Sequence, residues 1–114
     1  MQKQQLINLI KTDPESIEFN DVIKTIDHNY EYKPARFTNG DVVNESGTNE
    51  GSCKIFSFAQ LNDLKEQETL ACFGNYYRKD VLDHPQGTDH ANIRTFIQLG
   101  WEGISFDSQV LSEK

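Results

Sequence analysis

The residue best suited to nucleophilic chemistry is Cys53, in the segment NESGTNEGSCKIFSF that spans residues 44–58. Backbone N–H groups at a helix start and the neighbouring Lys54 would both stabilise a thiolate, which is the reactive form of cysteine. The negative charges of two nearby glutamates would destabilise the thiolate. In addition, a cysteine followed directly by apolar residues is commonly part of a core. The sequence therefore leaves two interpretations of Cys53, a reactive thiol and a packed one.

Two histidines could serve as a base for such a thiol or as metal ligands. His84 follows Asp83, and His90 follows Asp89. Neither spacing matches a metal-binding motif. A histidine beside proline after a helix commonly bonds the last helical carbonyls, and an Asp-His pair commonly opens the next helix. We therefore expect no metal site and no cofactor, and we keep Cys53 and His90 as the candidate catalytic pair.

Three familiar site motifs are excluded by their spacing. The segment GTNEGSCK, residues 47–54, has three residues between its glycines where a P-loop needs four, and its lysine comes late. The polar residues after Asp41 do not fall at the alternating ligand positions of an EF-hand loop. No Gly-x-Ser-x-Gly nucleophile elbow is present.

Two polar segments end at predicted helix starts and could form one binding site. They span residues 44–54 and 88–94, and each can present free backbone N–H groups. We predict that they face each other across a shallow pocket that holds an anionic or carbonyl group, with Cys53 at or near its floor. The candidate binding residues in the two segments are Asn49, Ser52, Lys54, Asp89, Asn92 and Arg94.

Apolar residues at helical spacing predict the elements that position these segments. In chain order, helical patterns cover residues 2–12, 13–30, 53–64 and 66–83. Asp13 and Pro14 suit the N-cap and first position of the second helix. Gly74 interrupts the fourth pattern, which predicts either a close helix contact or a break into two pieces.

The third and last helices carry the predicted site. Ser52 is the expected N-cap of the third helix, whose apolar residues cover several faces and so predict burial. A last helix is expected to begin at a cap formed by Thr88 or Asp89 and to end at Gly100, where a left-handed C-cap belongs.

The remaining residues predict short β structure. Asn39-Gly40 between β-forming residues predicts a hairpin over residues 35–44, with these two residues in a type I′ turn. Residues 101–106 predict either a short C-terminal strand beside the hairpin or an extended tail. The fold class is α+β, a mainly helical single domain over residues 1–114 with about five helices. The predicted core residues are Phe56, Ala59, Phe73, Tyr77, Phe96 and Trp101.

Composition limits the classes of partner. A net charge of −7 without a Lys/Arg cluster argues against nucleic acid binding. No apolar run is long enough to span a membrane, and the first residues lack the pattern of a signal peptide. A soluble cytosolic domain is the expected setting, with both cysteines reduced.

Three stretches resemble the HopJ type III effector family, and together they cover nearly the whole chain. They are NESGTNEGSCKIFSFAQL, ETLACFGNYYRKDVLDHPQGTDHANIRTF and GWEGISF. The resemblance implies a small bacterial protein whose family is named for delivery into host cells by a type III secretion system. It implies no activity, and no catalytic residue is carried over from it.

Three functional hypotheses follow. The resemblance favours an effector-like protein that acts through an unidentified protein partner. The second hypothesis is a small cysteine-dependent enzyme or ligand-binding domain built around the polar pocket. The third is a bacterial cytosolic housekeeping protein.

Overall fold

The computed structural model describes all 114 residues and confirms the mainly helical α+β class. The α-helices are α1 (Lys3–Thr12), α2 (Phe19–Asn29), α3 (Glu50–Leu61), α4 (Glu66–Ala71) and α5 (Ala91–Leu99). The strands are β1 (Tyr30–Tyr32), β2 (Phe37–Asn39), β3 (Val42–Asn44), β4 (Ile104–Phe106) and β5 (Leu111–Glu113). Short 3₁₀ turns span Pro14–Ser16 and Gly100–Gly103, and a π-helix spans Tyr76–Val81.

Helix α3 passes through the centre of the molecule, as its apolar pattern predicted. Phe56, near its middle, is completely buried. Its ring lies with centroid distances of 5.0 to 6.3 Å against four other aromatic rings. Those rings belong to Phe37, Phe73, Phe96 and Trp101. One side chain thus joins α3 to the hairpin, to the residues after α4, and to α5 with the turn that follows it.

The predicted core is correct except at two aromatic residues. Tyr77 and Trp101 are only partly buried and pack at the edge of the core. Each carries a polar atom that needs a hydrogen-bond partner or water, which favours such a position. Trp101 Nε1 donates to the carbonyl of Leu64 at 3.3 Å, and the Tyr77 hydroxyl lies 3.5 Å from Gln67.

The hairpin is present, but its turn is shifted by one residue from the prediction. Asn39 pairs with Val42, so Gly40 and Asp41 form the two-residue turn. Gly40 has φ +57 and Asp41 does not have a positive φ, which matches a type II′ turn with glycine first. Asn39 is a fully buried strand residue, so its side chain packs in the interior of the protein and is not part of the turn.

The segment after α5 forms a strand, which resolves the alternative left open by the sequence. Strand β4 pairs antiparallel with β2, giving a three-stranded sheet in the order β3-β2-β4. A second pair joins β1 to β5, with Tyr30 opposite Glu113. This pair was not predicted, because three-residue strands far apart in sequence leave no periodic signal.

Several predicted helix bounds need correction. Residues 13–30 do not form one helix, because a 3₁₀ turn follows Asp13 and α2 begins only at Phe19. Between them, Ile17 has an extended backbone with φ −72 and ψ 131, and its carbonyl accepts a hydrogen bond from the Arg78 guanidinium at 2.6 Å. The predicted break at Gly74 is confirmed: it has φ +58, and an added Cβ would lie 2.8 Å from the Phe19 nitrogen.

No helix in the structure has both the length and the apolar character needed to cross a lipid bilayer.

Replacing Phe56 with alanine tests the role of α3. We expect the free energy of unfolding to fall by about 3 to 5 kcal/mol, because the variant leaves a cavity among the surrounding rings. Urea unfolding followed by circular dichroism measures the change. The control is Leu61→Ala on the same helix, where the side chain is 50% exposed and the loss should stay below about 1 kcal/mol. Equal losses in the two variants would contradict the central position of Phe56.

Candidate functional site

A cleft of about 350 Å³ lies between the start of α3 and the start of α5, so the two polar segments do meet across a shallow pocket. We call it the α3–α5 cleft. It is lined by Phe19, Val42, Asn49, Gly51, Ser52, Phe73, Tyr76, His90, Ala91, Asn92 and Ile93. No aspartate or glutamate is among these residues, although the protein as a whole has a net charge of −7.

Both helices begin in the same unusual way. The residues before their first turns, Asn49 and His90, have left-handed backbones with φ 48 and φ 51, and neither side chain caps its helix. The first helical hydrogen bonds are donated by the amides of Cys53 and Arg94. The backbone amides of residues 50–52 in α3 and 91–93 in α5, which precede these two donors, make no hydrogen bond within the chain. The cleft is therefore bordered by two uncapped helix starts.

These N-cap positions correct the sequence prediction. Ser52 is not the N-cap of α3, because that helix begins at Glu50 and places Ser52 inside its first turn. Neither Thr88 nor Asp89 caps α5, since His90 holds that position. Ser52 lines the cleft, and its hydroxyl makes no hydrogen bond within the chain. It remains available to a ligand as a donor and acceptor.

His90 is held in the cleft by a carboxylate and an aromatic ring. Its Nε2 lies 3.0 Å from Asp80 Oδ2, and its ring centroid lies 5.2 Å from that of Tyr76. Tyr76 in turn packs edge-on against Phe19 at 5.0 Å. When Nε2–H donates to Asp80 in the neutral imidazole, Nδ1 is left as the acceptor. Asp80 was not a predicted site residue. It lies ten residues before His90, and no known motif pairs an aspartate and a histidine at that spacing.

Cys53 does not lie at the floor of the cleft, and this part of the prediction is wrong. Its side chain is 1% exposed, and its sulfur lies 4.0 Å from the carbonyl oxygen of Ala35. One residue along a helix turns the side chain by about 100°, so Cys53 points inward where Ser52 faces the cleft. Burial raises the pKa of the Cys53 thiol above its ordinary value, which disfavours the thiolate. The geometry brings Cys53 and His90 into no common site.

Lys54 also lies outside the cleft. Its Nζ is 2.8 Å from Asp27 Oδ1 and 4.7 Å from the centre of the Tyr32 ring. Both contacts are on the side of α3 that faces α2 and β1. The predicted cationic contribution of Lys54 to the pocket is therefore absent.

Arg94 and Asp89 organise the loop before α5 and do not line the cleft. The Arg94 guanidinium donates to Asp89 Oδ1 at 2.7 Å, to the Asp89 carbonyl at 2.6 Å and to the His84 carbonyl at 2.8 Å. The hydrogen bond from Arg94 lowers the pKa of the Asp89 carboxyl below its usual value. Arg94 therefore fixes the course of the chain into His90.

A larger cavity, of about 490 Å³, lies on another side of the molecule beside α1, α4 and the π-helix. Its charged donors, Lys11 and Arg78, already have partners in the chain. Lys11 pairs with Glu68 at 3.3 Å, and Arg78 donates to the carbonyls of Pro14 and Ile17. We regard the smaller α3–α5 cleft as the better candidate site, because its donors are unpaired.

Comparison with known proteins agrees with the resemblance seen in the sequence. The family model described as HopJ type III effector protein matches residues 3–111. The chain belongs to the HopJ family. The crystal structure of VPA0580, a protein of unknown function, is 49% identical and has a TM-score of 0.98. The match covers 100% of this HopJ chain and 95% of the other. No curated protein matches the sequence.

Alkylation of the two cysteines tests the placement of Cys53. In the native protein we expect iodoacetamide to label neither Cys53 nor the buried Cys72, whose pKa burial raises to about 12. Both should react once guanidinium unfolds the chain. Mass spectrometry of a Cys72→Ser variant isolates Cys53 and gives its reaction rate at each pH. Rapid native labelling with a midpoint well below the free-thiol pKa of about 8.5 would contradict the buried, unactivated thiol.

Proposed function

We propose that this HopJ protein is an effector-type protein that binds a protein partner non-covalently through the α3–α5 cleft. The observation that supports the proposal is the meeting of two uncapped helix starts with the His90–Asp80 pair in one cleft. The effector part rests on family membership. The binding part rests on the geometry of the cleft.

The position of the two thiols favours binding over cysteine catalysis. A nucleophilic cysteine needs access to its substrate and a base within hydrogen-bond reach. Cys53 is buried beside Ala35 and does not line the cleft that contains His90. Cys72 is also buried, and its nearest hydrogen-bond acceptor is the carbonyl of Glu68 at 3.5 Å.

The chemistry of the cleft favours a partner group that accepts hydrogen bonds. Unpaired amides at two helix starts and the Ser52 hydroxyl supply donors. Two carboxylates beside the cleft, those of Asp80 and Asp89, already lie against His90 and Arg94. The Tyr76 side chain, 43% exposed, adds an apolar surface beside these donors. An acidic side chain or a backbone carbonyl with a neighbouring apolar residue fits this arrangement.

A free small ligand with the same acceptor group is the second candidate. The cleft volume of about 350 Å³ falls at the lower end of the range for small-molecule sites. Asn49, Ser52, His90 and Asn92 are the candidate binding residues under either proposal.

Titration with simple acceptors tests the cleft. We expect acetate and inorganic phosphate to shift the amide signals of Gly51, Ser52 and Ala91 saturably in ¹H–¹⁵N spectra, at constant ionic strength. Acetamide serves as the probe for a neutral carbonyl. Affinity for an isolated group should be weak, on the order of millimolar. Ala91→Leu should weaken binding at least about tenfold, because the larger side chain enters the cleft.

Gln98→Leu is the matched control for this titration, because it adds an exposed leucine on the same helix outside the cleft. This control should bind as the wild type does. Shifts spread over the whole surface, or equal binding by the two leucine variants, would reject the cleft as the binding site.

Secretion separates the effector from a housekeeping protein. We propose a bacterial cytoplasmic protein that a type III system delivers to a host cell. An epitope-tagged chain should therefore leave cells with a working type III system and stay inside an isogenic strain that lacks the secretion ATPase. A cytoplasmic enzyme of the same strain serves as the lysis control. Retention in both strains under inducing conditions would favour the housekeeping hypothesis.

A further inference from the structure

Three asparagine side chains are buried together at the α3–α5 cleft, and one of them, Asn92, also lines it. Asn39 in β2 and Asn44 in β3 are fully buried, and Asn92 in the first turn of α5 is 7% exposed. Buried amides are costly unless they are hydrogen-bonded, because each loses its contacts with water. Their presence at one place in a mainly apolar core calls for a physical reason.

Asn44 and Asn92 form a reciprocal pair. Asn92 Nδ2 donates to Asn44 Oδ1 at 2.8 Å, and Asn44 Nδ2 donates to Asn92 Oδ1 at 3.2 Å. Asn39 Nδ2 donates to the Asn92 backbone carbonyl at 2.9 Å and to its Oδ1 at 3.3 Å. The start of α5 is thereby attached to both strands of the hairpin.

Asn49 extends this cluster to the other helix. Its Nδ2 donates to Asn44 Oδ1 at 2.7 Å, the same oxygen that accepts from Asn92. Asn49 is the left-handed residue that precedes α3, and Asn92 is the second residue of α5. A single carbonyl oxygen thus receives one hydrogen bond from each of the two helix starts that border the cleft.

We propose that the cluster of Asn39, Asn44, Asn49 and Asn92 holds the two helix starts at a fixed separation and couples them. The cleft is then preformed, and a group bound at the start of α3 affects the start of α5. An apolar core could fill the same space, but it would lack the directional bonds that set the distance between the helices. The purpose of the coupling rests on the proposed function, whereas the coupling itself can be tested without a ligand.

Asn49→Gly is the variant that tests the coupling. Asn49 is exposed and has φ 48, so glycine keeps the backbone conformation and removes only the amide side chain. Asp63→Gly is the matched control. Asp63 is exposed with φ 54 just after the other end of α3, and its side chain makes no hydrogen bond within the chain. Both changes replace a left-handed residue with glycine, but only the first removes a bond to the cluster.

Native-state hydrogen exchange gives the readout. The reporters are the amides of Cys53 and Arg94, which donate the first hydrogen bonds of α3 and α5. We expect Asn49→Gly to accelerate exchange at both amides by about tenfold, the effect of losing one hydrogen bond, with α1 unchanged. Asp63→Gly should leave both reporters unchanged.

Two outcomes would overturn the proposal. Acceleration at Cys53 alone would show that Asn49 acts only on its own helix. Acceleration that also reaches α1 would show a general loss of stability. If the coupling is found but wild-type protein binds none of the titrated acceptors, the proposed function fails and the positioning role of the cluster stands.

Discussion

The packing of the Phe56 ring is the interaction on which the rest of the structure depends. The four rings around it come from the hairpin, the segment after α4, α5 and the turn that follows α5. None of these short elements would be stable alone, because three-residue strands and helices of six to nine residues bury little surface by themselves. Their shared contact with one central helix gives each a fixed place.

This arrangement explains why the candidate site lies at a helix end. Residues 55–59 of α3 are all buried, so the middle of the helix is closed to ligands. Its first turn reaches the surface beside the first turn of α5, and both turns keep amides without partners in the chain. Side chains usually cap such groups. Here left-handed residues at Asn49 and His90 direct their side chains elsewhere, and the amides make no hydrogen bond within the chain.

Local signals in the sequence predicted the elements well, and tertiary pairing accounts for what they missed. The apolar pattern around Phe56 predicted the central helix. The glycines at positions 74 and 40 predicted a helix break and a positive φ, and both are present. The apolar residues after Cys53 indicated a packed thiol as one of two interpretations. Its expected place at the cleft was wrong because the helix start was set three residues late, which changes which side chain faces outward. The Asn cluster and the His90–Asp80 pair were missed for another reason. Their members are brought together by the fold, and no spacing rule connects them.

The pairing of β1 with β5 has a consequence for the timing of folding. Tyr30 lies opposite Glu113, so a strand near the beginning of the chain finds its partner more than eighty residues later. The pairing of β2 with β4 imposes a similar delay. Contacts of such long sequence separation slow folding, since the loop between them must close first. On the ribosome, neither sheet can be completed until the segment after α5 has emerged. The nascent chain therefore lacks both long-range strand pairings while all five α-helices are already outside the ribosome.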